Sequence, residues 1–309
     1  MTTRAAGGAG KARLLFKFPG GKSALVSRLL ELAGAPVQGR YVEPFVGGGA
    51  VLGGVLGLDG TSALASRGVA WDASPAVRQA WRAVKDEPEE LAGAMVRLQE
   101  RYAEAVEQGA GKSFFFSLRR QLGALLRDGW GRYTATTTAH LFLAYTRLTW
   151  NGVWRVNAAG EPNVAWNGAG RLTVPDGELV GRWSTALRDV EIPGEGSWRA
   201  LVEGVGDGDL LYLDPPYAPL PGDPKPRKGL VQYTPEPWRP GDHAALLEAA
   251  AAAGRRGARV LVSAGGGSWT QARYEDAGFE VFLVGERRSV NRDGAGRGAV
   301  DCLIGRWRG

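Results

Sequence analysis

Asp209-Leu210-Leu211-Tyr212-Leu213-Asp214-Pro215-Pro216-Tyr217 is the stretch of sequence that decides the fold. Its apolar run from Leu210 to Leu213 predicts a short buried strand. The prolines cannot continue that strand, so an acid and an aromatic ring lie directly at its carboxyl end. In open α/β sheets this edge is where ligands bind. The stretch therefore predicts a binding site on a mainly parallel sheet.

The residues after this strand favour a particular chemistry. Prolines donate no N–H, so the carbonyl groups beside Asp214 stay free to accept hydrogen bonds. A carboxylate and a carbonyl together form an acceptor-only site, which suits an amino group, and Tyr217 supplies a flat surface for stacking. The pattern indicates work on the exocyclic amine of a base, with four candidate catalytic residues: Asp214, Pro215, Pro216 and Tyr217.

Helical and extended patterns alternate along the chain, which predicts an α/β fold with a doubly wound sheet and a helical insertion. We divide the chain into a first catalytic part (10–74), an insertion of helices plus a β-hairpin (75–170) and a second catalytic part (171–309). The hairpin is expected at 153–157 and 162–166. Strands are expected at 40–43, 68–71, 188–192, 210–213, 259–263, 280–284 and 300–307, and helices at 23–32, 50–58, 75–85, 89–107, 114–126, 137–150, 177–186, 241–253 and 269–277.

Composition narrows the class of protein. The 309 residues include 38 Lys+Arg against 32 Asp+Glu, a net charge of +6 that favours a polyanionic partner, although many solvated proteins are as basic. One cysteine and two histidines argue against a disulfide framework and a Cys- or His-rich metal centre, so we expect no metal. No apolar run approaches the ~20 residues that cross a membrane. We expect a cytoplasmic protein that does not bind membranes.

Two glycine-rich turns lie near the start. The first, 16–23, ends like a phosphate loop, but Phe16 replaces the earlier glycine, which disfavours a nucleotide triphosphatase. The second, 43–50, opens a helix, and Leu52 replaces the last glycine of the dinucleotide fingerprint. Two interpretations of this second turn stay open: it lies against a small nucleoside-like ligand, or it is a plain tight turn. Asp72 ends the next strand. An acid at this place either accepts hydrogen bonds from ribose hydroxyls or caps the following helix.

Polar and basic segments point toward nucleic acid. The stretch 150–157 leads into 160–164 and is dense in amides, aromatics and arginine, which read bases or grip phosphates; a purely structural hairpin is the alternative. Basic loops occur at 225–228 and 287–292. Most charged loops are only solvated, but two near a strand-end site favour a surface that contacts a nucleic-acid backbone.

Together these motifs resemble one family, the Dam-type (α-class, D12) DNA adenine methyltransferases, which methylate N6 of adenine with S-adenosylmethionine. Pro-Gly-Gly-Lys at 19–22 comes first, Glu-Pro-Phe-Val-Gly-Gly-Gly follows at 43–49, and Asp-Pro-Pro-Tyr at 214–217 comes after the insertion. Each motif alone is weak to moderate, whereas their order is specific. The resemblance runs from Phe16 to Trp307 and implies a Rossmann-like methyltransferase sheet with a mainly helical target-recognition insertion.

The resemblance also assigns residues. It implies that Lys22 meets the cofactor carboxylate, that Asp72 holds the ribose hydroxyls, and that Asp214 holds the amine of a flipped adenine in double-stranded DNA. The cofactor-binding set is Phe18, Lys22, Glu43, Phe45, Gly47, Gly49, Asp72 and Asp214. The DNA-binding set is Lys17, Asn151, Arg155, Asn157, Arg287 and Arg288.

Several interpretations stay open. Relatives that methylate GATC carry Phe-Asn-Val-Pro-Phe-Gly where this chain has Pro-Asn-Val-Ala-Trp-Asn-Gly at 162–168, so GATC is only a working hypothesis. Cytosine N4, RNA or a protein glutamine are alternative acceptors, although protein-glutamine enzymes usually carry Asn at the position of Asp214. A DNA-binding relative without catalysis is a further alternative. We expect a monomer in solution. A restriction-modification role with a cognate endonuclease, and a bacterial or phage source, stay open.

Overall fold

Seven strands of the described residues form one sheet in the computed structural model. It describes residues 13–16, 18, 20–129, 132–217, 233–234, 236, 238–266, 268–287 and 299–309. The sheet order is β3-β2-β1-β4-β5-β7-β6, and β7 alone runs antiparallel to its neighbours. The strands are β1 Tyr41–Glu43, β2 Gly68–Ala70, β3 Val190–Glu191, β4 Leu210–Leu213, β5 Arg259–Gly265, β6 Phe279–Arg287 and β7 Ala299–Trp307.

Helices cover both faces of this sheet, which confirms the predicted doubly wound α/β fold. The helices are α1 Val26–Ala33, α2 Ala50–Val55, α3 Pro75–Asp86, α4 Pro88–Glu107, α5 Gly111–Arg127, α6 Ala135–Leu148, α7 Gly177–Ala186, α8 Trp198–Glu203, α9 Pro240–Arg255 and α10 Ser268–Asp276.

The central strand β4 shows how the sequence produces these two layers. Leu210 and Tyr212 belong to an apolar cluster with α1 to α7, whereas Leu211 and Leu213 belong to a second cluster with α8, α9 and α10. Successive side chains of a strand point to opposite faces, and a parallel strand covered on both faces is apolar throughout. The four-residue apolar run therefore follows directly from the strand's central position.

Helix α2 ends at Val55, so the expectation that it runs to residue 58 is wrong. Gly57 adopts φ +75°, a left-handed conformation. The N–H of Leu58 donates to the carbonyl of Gly53 at 2.8 Å, and that of Gly57 donates to Gly54 at 3.0 Å. This pair of bonds is a Schellman motif, which closes the helix before the apolar pattern ends.

Other boundaries also differ. Helix α8 was not predicted, although Ser197 caps it by accepting from Ala200 N. Helix α6 ends at Leu148, and a 3-10 turn, Trp150–Gly152, follows it. The expected hairpin strands are two isolated antiparallel bridges, Thr149 to Trp166 and Val156 to Pro162.

The insertion and the sheet meet through α3. Helices α4, α5 and α6 pack against one another, and α3 packs against α6 and α7. From α3, Trp81 Nε1 donates to the Gly47 carbonyl at 2.9 Å, so this helix contacts the second glycine turn. The division at residues 74 and 170 stays a prediction.

Candidate active site

Three acidic side chains converge at the carboxyl ends of neighbouring parallel strands. Glu43 ends β1, Asp72 lies two residues beyond β2, and Asp214 directly follows β4. The chain leaves β1 toward β2 on one side and resumes the sheet with β4 on the other. This reversal of strand order is the place where doubly wound sheets bind ligands.

Asp214 is paired with Lys22 from the first glycine-rich segment. The Lys22 ammonium lies 2.9 Å from Asp214 Oδ2, donates to the Gly20 carbonyl at 2.6 Å and lies 5.1 Å from the centre of the Tyr217 ring. The Lys22 side chain is only 4% exposed. The structure thus places Lys22 at the predicted catalytic segment, and its expected contact with a cofactor carboxylate stays a prediction.

Tyr217 presents a ring beside Asp214. A methyl group on Gly265 would lie 3.5 Å from Tyr217 Cδ2, so the ring packs over the end of β5. Its hydroxyl lies 3.7 Å from Cys302 Sγ. Burial raises the pKa of Tyr217 well above its usual value, with the Asp214 charge adding to the effect. The hydroxyl therefore stays neutral and does not fit an acid–base role, and the role of the ring as a stacking surface stays a prediction.

The second glycine turn is closed by aromatic rings. Gly47 and Gly49 adopt φ +45° and +71°. An added methyl would lie 2.9 Å from Phe18 Cδ1 at Gly47 and 2.5 Å from Trp81 Cζ2 at Gly49. The Phe18 ring lies 5.1 Å from that of Tyr233. The sequence predicted that a ligand lies against this turn, and in the structure the rings of Phe18 and Trp81 also pack closely against it.

Asp72 supports the same turn. Its Oδ2 accepts from Gly47 N at 3.0 Å and its Oδ1 from Ser74 N at 2.8 Å. Burial raises the pKa of Asp72 to about 6, against these two hydrogen bonds, which lower it. Each carboxylate oxygen keeps a further lone pair for a ligand hydroxyl. Ser74 occupies the N-cap position of α3, so Asp72 is not the plain helix cap that the sequence left open.

Glu43 is the most deeply enclosed of the three acids. Its Oε2 accepts from the Tyr41 hydroxyl at 2.8 Å. Burial raises the pKa of Glu43 well above its usual value, the Tyr41 bond lowers it, and the charges of Asp214 and Asp72 raise it. The three carboxyl groups outnumber the two cations beside them, the Lys22 ammonium on Asp214 and the Arg78 guanidinium near Asp72, which suits a ligand of net positive charge.

Phe45 packs among the aromatic rings of the second apolar cluster. Its ring packs 6.4 Å from Trp198 and 5.6 Å from Trp238, in the cluster on the opposite face of the sheet. Its role toward a cofactor stays a prediction.

The predicted DNA contacts of the insertion lie in one loop. Asn151 adopts φ 54°, and the neighbouring Trp150 is 54% exposed. Arg155 Nε donates to Asn163 Oδ1 at 2.7 Å. Asn157 Oδ1 accepts from two backbone N–H groups of the turn. Arg155 and Asn157 therefore hold the loop together, and their contacts with DNA stay predictions.

Other predicted positions fall where little can be described. Lys17, Arg288 and the basic loop 225–228 lie outside the described residues. Arg287 is the last residue of β6, and its side chain is not described.

Across the described part of the chain, no group of three or more His, Cys, Asp or Glu is arranged to hold a metal ion. None of the helices in that part is long and apolar enough to cross a bilayer.

Sequence reasoning missed two residues of the site, Tyr41 and Tyr233. Tyr41 lies two positions before Glu43 on the same strand, so it shares a strand face with the acid, and this spacing was a usable signal. Tyr233 reaches Phe18 from beyond residues 218–232, and the sequence carries no pattern that predicts this contact.

Family comparison agrees with this geometry. The model of the D12 class N6 adenine-specific DNA methyltransferases matches residues 18–224, which include the second glycine turn and the 214–217 segment. The match covers more than half of the chain. The chain therefore belongs to the D12 class N6 adenine-specific DNA methyltransferase family.

Individual relatives carry matching names. A DNA adenine methylase of Vibrio cholerae is 30% identical over 298 residues, covering 95% of each chain. A Type II methyltransferase of Lactococcus lactis is 24% identical over 290 residues, covering 93% of each. A DNA N-6-adenine-methyltransferase of Escherichia phage P1 is 28% identical over 293 residues, which are 95% of this chain but 35% of the relative. The chain thus spans about a third of the phage protein.

Proposed function

We propose that this protein transfers a methyl group from S-adenosylmethionine to N6 of adenine in double-stranded DNA. The observation that carries the proposal is the acceptor site of Asp214 and Pro215 at the carboxyl end of β4, inside the region that matches the family. Cytoplasmic location and GATC as the target belong to the proposal as well, and so does pairing with a restriction endonuclease.

The charge of the site supports this cofactor. Lys22 pairs with Asp214 and the Arg78 guanidinium acts on Asp72, so the acids Glu43, Asp72 and Asp214 outnumber the cations of the site. S-adenosylmethionine carries a sulfonium and an ammonium against one carboxylate. Asp72 has lone pairs left for ribose hydroxyls, and the rings of Phe18 and Tyr233 offer apolar surface beside the glycine turn. When bound, the cofactor supplies an electrophilic methyl group.

Asp214 and the Pro215 carbonyl would act on the target amine. They accept its two hydrogens, which draws the nitrogen toward sp³ geometry and frees its lone pair. Holding nucleophile and methyl in line is worth up to ~7–11 kcal/mol in the best intramolecular cases. Acceptors aimed at the developing charge add ~3–4 kcal/mol each by analogy with oxyanion sites. Lys22 already holds Asp214 Oδ2, so it fixes the carboxylate for this task.

Stacking on Tyr217 and the net positive charge of the protein would together stabilise an extruded adenine beside Asp214. Extruding an adenine from the duplex costs a few kcal/mol. Stacking on an aromatic ring such as Tyr217 returns ~1–3 kcal/mol. Contacts between basic side chains and phosphates supply the remainder, so DNA affinity should fall steeply with salt.

Transfer of labelled methyl from S-adenosylmethionine to duplex DNA tests the proposal. Asp214→Ala should slow transfer at least ~10²-fold. Asp189→Ala is the matched control, because Asp189 is exposed beside the opposite edge of the sheet, next to β3. Transfer at the wild-type rate in Asp214→Ala would remove the proposed role of this carboxylate. Transfer to RNA or peptide in place of DNA would overturn the substrate.

A further inference from the structure

Glu43 is a buried acid for which the proposed chemistry assigns no protonation state. The residue is 2% exposed. Its Oε2 accepts a hydrogen bond from the Tyr41 hydroxyl at 2.8 Å. Within the described residues, no lysine or arginine forms an ion pair with it. A carboxylate enclosed in this way is ionised only at a large cost, unless a cation arrives.

The titratable groups around Glu43 increase that cost. Asp214 faces it from the end of β4 and Asp72 from beyond β2, and both are acids. Tyr212, on the neighbouring β4, is buried and bonded to Ser263 Oγ at 2.9 Å. The ammonium of Lys22 lies on Asp214. With three ionised acids against two cations, the Lys22 ammonium on Asp214 and the Arg78 guanidinium near Asp72, the site would hold one uncompensated negative charge.

We propose that Glu43 is protonated in the free protein, ionises when the cationic methyl donor occupies the site, and takes the proton back once the neutral thioether product has formed. Glu43 is thus a specificity-determining residue that favours binding of donor over binding of product. This inference rests on the proposed function and names the group through which the site distinguishes its two cofactor states.

The charges and protons balance. Glu43 releases one proton to solvent on donor binding. In methyl transfer, the electron pair of the S–CH3 bond stays on sulfur, the N–CH3 bond forms, and the amine nitrogen loses one proton. Glu43 then takes up one proton, because the sulfonium charge that stabilised its ionised form is gone. One proton is released per turnover, as the overall reaction requires.

Tyr41 is the positioning residue in this scheme. Its hydroxyl donates to Glu43 Oε2, which favours the ionised carboxylate. Burial and the Glu43 charge raise the pKa of Tyr41 itself, so it remains a donor. Tyr41→Phe should therefore weaken donor binding more than product binding.

Calorimetry in buffers of different ionisation enthalpy counts the protons directly. Titration of the full chain with S-adenosylmethionine should show proton release, and titration with S-adenosylhomocysteine should show a clearly smaller number of protons. Below the pKa of the free carboxyl, donor affinity should rise about tenfold per pH unit, whereas product affinity stays nearly flat. An analogue with a protonated amine in place of the sulfonium should behave as the donor does.

Glu43→Gln keeps the shape of the protonated acid, so the variant should fold. It should bind the product within about threefold of wild type, lose at least about tenfold in donor affinity, and release no proton. The control Glu203→Gln changes an exposed acid and should keep wild-type proton release.

Equal proton numbers for donor and product would overturn the inference, as would release that persists in Glu43→Gln. If Glu43→Gln does not fold, the pH dependence of wild-type affinity decides the question, and a donor affinity as flat with pH as that of the product would overturn the inference. Donor binding without proton release refutes this inference alone. Absence of binding of either ligand to wild type refutes the proposed function and this inference with it.

Discussion

Gly49→Ala should destabilise the protein by crowding the turn that carries the site. Gly49 precedes α2 with φ +71°, a conformation that L residues seldom adopt. An added methyl would lie 2.5 Å from Trp81 Cζ2 and 3.4 Å from Trp183 Cη2. Both rings are fully buried and packed 4.9 Å apart, so neither can swing into solvent.

The expected loss has two parts. A left-handed conformation costs an alanine roughly 1–2 kcal/mol. Overpacking a filled core adds about 1–3 kcal/mol. Gly60→Ala is the matched control, because Gly60 has φ +87° but nothing within 4 Å of an added methyl. The control should lose only the first part, so the two variants should differ by about 1–3 kcal/mol.

Urea unfolding of both variants measures this difference. Displacement of Trp81 should also disturb its hydrogen bond to the Gly47 carbonyl, so cofactor affinity should fall in Gly49→Ala and stay near wild type in Gly60→Ala. Equal free energies of unfolding for the two variants would refute the reasoning, because they would show that the rings yield to the methyl without cost.

Three further expectations concern the charged residues. Asp72→Asn should gain up to about 3 kcal/mol of stability relative to wild type as pH rises from 4 to 7, because a pKa raised to about 6 in the folded protein penalises ionisation of the wild-type acid. Urea unfolding of both proteins across this pH range measures the gain. A difference in unfolding free energy that stays constant with pH would contradict it. Arg155→Gln should weaken DNA binding and lower the slope of log affinity against log salt by roughly 0.9, whereas the exposed Arg188→Gln should leave that slope unchanged. Lys22→Met should cost about 1.5–3 kcal/mol of unfolding free energy, and a double-mutant cycle with Asp214→Asn should show positive coupling; additive losses would mean that the ion pair contributes nothing.

The sequence predicted what local pattern determines. The apolar run of β4 requires a strand buried on both faces, and the residues after it must lie at the ligand-binding edge. Glu43 and Asp72 follow the same rule from neighbouring strands. Helix ends were less predictable, because Gly57 ended α2 through a left-handed cap inside a continuing apolar pattern.

Contacts between distant segments could not be predicted. Lys22 and Asp214 lie far apart in the chain, and no local pattern shows that the ammonium rests on this carboxylate. The sequence likewise identified Gly47 and Gly49 as a turn open to close approach, but not that Phe18 and Trp81 fill the space. Such contacts depend on tertiary packing, which a motif and its spacing do not encode.

The most direct test of the proposed chemistry is a single-turnover reaction at saturating S-adenosylmethionine and duplex DNA, with mass analysis of the digested nucleosides. Wild type should yield N6-methyladenine, and Asp214→Ala should form it at least ~10²-fold more slowly, as expected when one preorganised acceptor is lost. N4-methylcytosine as the product, or an unchanged rate in Asp214→Ala, would contradict the proposed chemistry.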